Sequence, residues 1–149
     1  MWFCFTKNDY KILNEIVWYK PNASPNLSCR FFTASHETLI WARKDKKAKH
    51  TFNYDVVKNN DWPKDFLKKK GFQMRSVWAI YTPRKEEKVF GKHPTQKSLE
   101  LLNRIILSST KKGDIVLDPF TGSSTTGIAA ITNDRQFLGI DTEKEYLDL

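Results

Sequence analysis

Asp118, Gly122, Ser123, Thr125 and Thr126, with Asp141 further on, are the residues whose types and spacing suggest chemistry most directly. All lie in or just beyond Asp114-Ile-Val-Leu-Asp-Pro-Phe-Thr-Gly-Ser-Ser-Thr-Thr-Gly127. Small residues in a turn let the backbone approach a ligand closely, and amides at a helix start offer hydrogen bonds. A carboxylate about 20 residues past such a turn is placed to accept from ribose hydroxyls. Asp118, at the mouth of the turn, repels a phosphate and welcomes an amine. The turn is not the G-x-G-x-x-G of pyrophosphate binders, and no Gly-Lys-Ser/Thr follows for a triphosphate. A ligand with a ribose, a cationic amino-acid group and no phosphate fits this balance. S-adenosylmethionine is such a molecule. The same residues also suit a plain parallel-sheet turn with Ser and Thr as helix caps, and spacing alone leaves both readings open.

The elements that must position these residues follow from local pattern. Ile115-Val-Leu117 is a short apolar run that reads as a buried strand. Asp118-Pro119 stops it, because proline donates nothing to a ladder. Gly122-Ser-Ser124 turns the chain, Thr125 to Ile131 reads as a helix, and Gln136 to Ile140 as a second strand ending on Asp141. Strand, turn, helix, strand and terminal acid make the βαβ half of a nucleotide-binding α/β fold. Before it, Gly91-Lys-His-Pro-Thr-Gln-Lys97 leads into a helix with Pro94 suited to its first turn; Leu99, Leu102, Ile105 and Ile106 share helical spacing, and Lys111-Lys-Gly113 ends it. Further upstream, Met1 to Phe5 has strand character, Tyr10 to Tyr19 reads as a strand, Lys20 to Asn26 as a loop broken by two prolines, Glu37 to Ala42 as a strand, and Gln73 to Tyr81 as one more.

The chain of 149 residues, 40% hydrophobic and 28% charged, has the composition of about one globular domain. No run approaches the roughly 18 apolar residues of a membrane span. Cys4 and Cys29, without metal-ligand spacing or a secretory lead-in, point to reduced thiols and a cytoplasmic setting with no metal. The net charge of +8 is concentrated: residues 43–92 hold 15 of the 25 Lys and Arg but 6 of the 17 acids. Such a patch is the footprint expected for a polyanion, or a solvated basic face. Lys68, Lys69 and Lys70, beside Gly71, are the best phosphate-contact candidates. Trp18, Tyr19, Phe31 and Phe32 suit either a core or stacking on a planar ring, and Arg30 can reach a phosphate.

Asp118-Pro-Phe-Thr-Gly-Ser-Ser-Thr-Thr-Gly127 resembles the cofactor motif of amino-group DNA methyltransferases. His93-Pro-Thr-Gln-Lys97 and Trp18-Tyr-Lys-Pro-Asn22, with Pro25-Asn26, Arg30-Phe31 and Glu37, resemble two further motifs in the order of the class whose cofactor motif comes last. The resemblance implies an α/β, Rossmann-like methyltransferase fold, with an incomplete mixed sheet flanked by helices and a basic recognition insert. It implies S-adenosylmethionine as cofactor, held by Pro94, Thr95, Lys97, Asp118, Pro119, Phe120, Gly122, Ser123, Thr125, Thr126 and Asp141. Double-stranded DNA is the implied partner, with Arg30, Phe31 and Lys68 to Lys70 on it. Residues 1–42 then form the base-pocket part, 43–92 the recognition segment and 93–149 the cofactor part of one structural domain. Ser124 departs from the family, which has glycine there; a side chain at that place is expected to crowd the cofactor.

The family binds the target amine with Asp (or Asn or Ser) followed by Pro-Pro-Tyr, and that tetrad does not occur in this sequence. The resemblance therefore implies a carboxy-terminal part of an enzyme acting on adenine N6, or cytosine N4, with the tetrad upstream of Met1, or a non-catalytic piece that complements an upstream catalytic fragment. A parallel sheet short of strands is expected to show apolar faces and unpaired edges.

Overall fold

The computed structural model describes residues 9–88 and 96–147. The strand expected at Met1 to Phe5 lies outside them. The chain forms two compact units, one of Met1–His50 and Lys58–Ile80, the other of Thr51–Val57 and Tyr81–Leu149. The basic stretch 43–92 is thereby divided between them. The first unit carries 15 Lys and Arg against 6 Asp and Glu, the second 10 against 11.

In the first unit, β1 (Lys11–Tyr19) pairs antiparallel with β2 (His36–Arg43), from Lys11 opposite Arg43 to Tyr19 opposite His36. β3 (Val77–Ala79) runs parallel to β1 on its other edge, giving the order β2-β1-β3. The strand expected over Gln73 to Tyr81 is thus three residues long. Its length is set by β1, whose pairing with β3 spans Val17 to Tyr19 and stops before Lys20-Pro21, where proline has no N–H. Trp18 anchors this sheet: it is 2% exposed, and its indole N–H donates to the Ile80 carbonyl at 2.7 Å. A buried indole of roughly 200 Å² contributes about 5 kcal/mol at about 25 cal/mol per Å², provided its N–H finds a partner. Trp62, Trp78, Ala79 and Ile80 are buried in the same unit. A short helix, α1 (Tyr54–Asn59), follows the lysine-rich turn after β2, its residues up to Val57 belonging to the second unit and those from Lys58 to the first.

The second unit holds α2 (Leu99–Ser109), β4 (Ile115–Asp118), α3 (Thr125–Thr132), β5 (Gln136–Gly139) and α4 (Lys144–Leu147). β4 and β5 are parallel, with Ile115 opposite Gln136 and Asp118 opposite Gly139. Ile106, Ala129 and Ala130 form the core, with Leu99, Leu102, Val116 and Phe137 packed on it. The helix–sheet contact is close because α3 carries Gly127: a Cβ there would lie 2.6 Å from two Phe137 ring carbons.

The sequence pattern marks Ile115-Val-Leu117 as buried throughout, and here the structure corrects it. Ile115 and Leu117 are exposed, as are Leu138 and Ile140, while Val116 and Phe137 face the helices. Helices cover one face of this two-stranded sheet, so alternation decides burial and two of the three residues of the apolar run meet water.

α2 begins at Leu99, whereas Pro94, expected in its first turn, lies outside the described residues. The Ser98 side chain makes no cap; instead the Glu87 carboxylate, delivered by a 3-10 turn at Lys85–Glu87, accepts the Leu99 N–H at 2.9 Å. A carboxylate suits the positive end of a helix. At the other end, Asn53 Nδ2 donates to the carbonyls of Leu107 and Thr110 at 2.8 and 2.7 Å. Arg135 Nη2 donates to the Thr110 carbonyl at 2.7 Å. These distant partners satisfy the last carbonyls, which otherwise have none within the helix. Lys112 pairs with Asp134 at 2.7 Å, and Gly113 takes φ +84°.

Candidate functional site

The turn between β4 and α3 is held by its two flanking carboxylates. Asp118 Oδ1 accepts the Phe120 N–H at 3.1 Å, and Oδ2 accepts the Thr126 hydroxyl at 2.6 Å. Asp141 Oδ2 accepts the Gly122 N–H at 2.8 Å, and Oδ1 accepts the Glu143 N–H at 3.1 Å. The main chain joins in, with Thr121 N donating to Ile140 O at 3.0 Å and Ile140 N to Asp118 O at 2.9 Å. The loop is therefore tied to the ends of both strands, and its shape is set in advance of any ligand.

Two residues of the loop have left-handed backbone, Gly122 at φ +49° and Ser124 at φ +51°. Glycine adopts that region without penalty; a serine does so at a cost of about 1–2 kcal/mol. Ser124 does not line the groove described below. Its hydroxyl faces Thr121 Oγ1 at 3.4 Å. The preference for glycine at this place thus has a backbone cause. Gly139 is needed for another reason: a Cβ would lie 2.8 Å from Phe137 Cε1 and 2.9 Å from Thr121 Oγ1.

Beside the loop is an open groove of about 150 Å³. Of the residues singled out from sequence, Lys97, Asp118, Phe120, Gly122, Ser123, Thr125 and Thr126 line it together. Pro119 and Asp141 do not, and Asp141 acts on the groove by fixing the Gly122 amide. Pro94 and Thr95 lie outside the described residues. Three lining residues escaped the sequence reading: Gln96, Leu102 and Thr121. Gln96 and Thr121 sit inside the two motifs that flank the groove, which was signal enough; Leu102 follows the helical period and reads as core. Gln96 Nε2 donates to the Glu87 carbonyl at 2.6 Å, which fixes the amide, while Gln96 Oε1 is buried with no hydrogen-bond partner among the described residues. An orphaned buried acceptor costs about 1–3 kcal/mol and suits a ligand that brings a donor. With the Asp118 carboxylate and the Lys97 ammonium in the same lining, the groove suits a ligand that brings both N–H donors and a carboxylate.

The basic candidates lie in the first unit. Arg30 and Phe31 are exposed on the loop between β1 and β2, where Asn26 Oδ1 accepts the Ser28 N–H and hydroxyl at 3.0 and 2.7 Å. Phe32 is fully exposed beside them. Lys69 and Lys70 are exposed, but Lys68 differs: its ammonium donates to the carbonyls of Lys58 and Lys69 at 2.9 and 2.5 Å. Lys68 is committed to holding its own loop. Among the described residues no group of three His, Cys, Asp or Glu side chains is arranged to hold a metal ion, and no helix is long and apolar enough to cross a membrane.

Comparison with known proteins places this geometry. A family model described as DNA methylase, of the N6/N4 group, matches residues 2–149. The chain is 56% identical over 142 residues to the Type II methyltransferase M2.DpnII of Streptococcus pneumoniae, covering 94% of this chain and 50% of that protein. It is 52% identical over 143 residues to M2.MboI of Moraxella bovis, covering 96% and 50%. The chain spans about half the length of these curated relatives. Among solved structures, M1.HpyAVI in complex with SAM superposes with a TM-score of 0.75 at 38% identity, covering 97% of this chain and 62% of that one. The fold is the Rossmann-like one of these methyltransferases.

Proposed function

Because the chain belongs to the DNA methylase family of the matched model, we propose that it is the cofactor-binding and DNA-facing part of an amino-group DNA methyltransferase. It serves transfer of a methyl group from S-adenosylmethionine to an exocyclic amine of double-stranded DNA, adenine N6 rather than cytosine N4, within a cytoplasmic restriction-modification system. The observation that carries this reading is the groove, where the Asp118 carboxylate and the unpartnered Gln96 Oε1 meet in one lining. That donor-seeking pair fits the ammonium end of S-adenosylmethionine, and Phe120, 84% exposed at the groove, offers a ring face to an adenine. The complex of M1.HpyAVI with SAM supports the same ligand.

When bound, S-adenosylmethionine supplies an activated methyl group. The residues of this chain bind and orient. Asp118, held by Phe120 N–H and Thr126, presents a fixed negative charge; Lys97 and Thr125 line the same wall; Asp141 keeps the Gly122 amide in place. Pro94 and Thr95, outside the described residues, are proposed as cofactor-binding residues, as the resemblance implies. In the first unit, Arg30 and Phe31 are proposed at the target base and Lys69 and Lys70 at phosphates, with Lys68 bracing them from within.

A second reading, a non-catalytic part that complements a partner, is favoured by the lack of an Asp-Pro-Pro-Tyr tetrad in this sequence. The test is methyl transfer from labelled S-adenosylmethionine to duplex DNA, by this chain alone and with a tetrad-bearing polypeptide added, followed by nucleoside analysis. N6-methyladenine formed only with the added polypeptide is the expected result. N4-methylcytosine would replace the target base, and no transfer under either condition would overturn the reading.

A further inference from the structure

One basic surface with a fastened backbone is a turn that neither the motifs nor the groove involve. β2 ends at Arg43, and the next six residues carry Lys44, Lys46, Lys47 and Lys49, all exposed. A loop this rich in like charge is ordinarily mobile and solvated, because ordering it brings ammonium groups together. Here its backbone is fastened at four points. Arg43 Nη2 donates to Lys46 O at 2.7 Å and Nη1 to Ala48 O at 3.0 Å. Asp45 Oδ1 accepts the N–H groups of Lys47 and Ala48 at 2.6 and 2.7 Å. The far end is pinned by His50, whose ring stands edge-on to Trp41 at 5.6 Å.

The one acidic side chain of the turn, Asp45, is thus turned on the main chain. The Asp45 carboxylate, held below the usual range chiefly by the two backbone N–H groups, is occupied by them. The four ammonium groups make no hydrogen bond or ion pair among the described residues. The fold orders the backbone that carries the lysines and leaves their ammonium groups available, so part of the ordering cost of a polyanion site is met before binding.

We infer that the Lys44–Lys49 turn is a preformed seat for the phosphate backbone of duplex DNA, and the electrostatic anchor of the first unit. This deepens the proposed function and rests on its reading of that unit as DNA-facing. It also reassigns the anchor: Lys68, in the run that composition favours, has its ammonium on two carbonyls, whereas the ammonium groups of the turn make no hydrogen bond or ion pair among the described residues, Lys44 being only attracted to Asp45.

The test is fluorescence anisotropy of a labelled, arbitrary-sequence duplex titrated with the full chain over a salt series. Three forms are compared: wild type, the triple variant K46Q/K47Q/K49Q, and Asp45→Ala. Counterion release gives about 0.9 of log–log salt slope per phosphate neutralised, so the triple variant should lose about 2.7. Asp45→Ala raises the net charge by one yet releases two backbone N–H groups, so the preformed seat requires weaker binding. Tighter binding by Asp45→Ala would mean that bulk charge alone matters, and would overturn the inference. So would an unchanged slope in the triple variant, whose exposed side chains leave the fastening intact; in that case wild-type binding still supports the DNA reading. Absence of wild-type binding would remove the DNA-facing role of the unit and the seat with it.

Discussion

Replacing Gly127 by alanine sets two effects against each other. In a helix interior the change is worth about 1 kcal/mol of added stability, from propensity alone. Packing opposes it. The new Cβ would lie 2.6 Å from Phe137 Cδ1 and Cε1 and 3.2 Å from Cγ. Carbon atoms pack best at about 3.5–4.0 Å, so two ring atoms are too close by roughly 1 Å. Overpacking of this kind costs about 1–3 kcal/mol. With two ring atoms struck, the upper end applies, and the net loss is about 2 kcal/mol. Tryptophan emission is the wrong probe, since all five tryptophans lie in Met1–His50 and Lys58–Ile80. Hydrogen exchange across Thr125–Thr132 reads the right place, and about 2 kcal/mol corresponds to roughly 30-fold faster exchange. Adding Phe137→Leu should recover part of the loss, with a coupling of about 1 kcal/mol or more. Slower exchange in Gly127→Ala would show that propensity wins and that the ring does not police this contact.

Ser124→Gly should stabilise the second unit by about 0.5–1 kcal/mol, the relief of a left-handed serine less the added freedom of the unfolded chain; a loss of stability in thermal melts would refute the backbone reading. Asn53→Ala leaves the Leu107 and Thr110 carbonyls without their amide donor and should cost about 1–3 kcal/mol; a change below a few tenths, by denaturant titration followed by circular dichroism, would show that water replaces the amide. The Asp45 carboxyl is held low chiefly by the Lys47 and Ala48 amides, so its folded pKa lies under the ordinary 3.8. The turn is then fully fastened above that value and loosens as pH falls through the lower folded one; carboxyl shifts followed by NMR should titrate below 3.8, and a midpoint at or above it would contradict the fastening.

The βαβ half was legible in the sequence because its signals are local. Ile115-Val-Leu117 stops at Asp118-Pro119, the turn is rich in small residues, and the polar residues that line the groove fall inside two short motifs. What was not legible depends on distant partners. Nothing near Thr110 announces that Asn53, up to 57 residues earlier, closes the end of α2. Nothing in Lys68-Lys-Lys70 tells that the first ammonium turns inward to Lys58. The exposure of Ile115 and Leu117 depends on how many layers cover the sheet, which a run of β-branched residues does not encode. Ser124 shows the opposite limit: the sequence marks the departure from glycine, but its cause, a positive φ, needs the backbone.

The central claim is that the groove beside Asp118 holds S-adenosylmethionine, and calorimetry of that ligand with the chain tests it most directly. Saturable binding at one site is expected, lost in Asp118→Ala, which removes the carboxylate, and weakened in Asp141→Ala, which releases the Gly122 amide. No heat of binding in a chain shown to be folded by circular dichroism, or binding indifferent to Asp118→Ala, would contradict it.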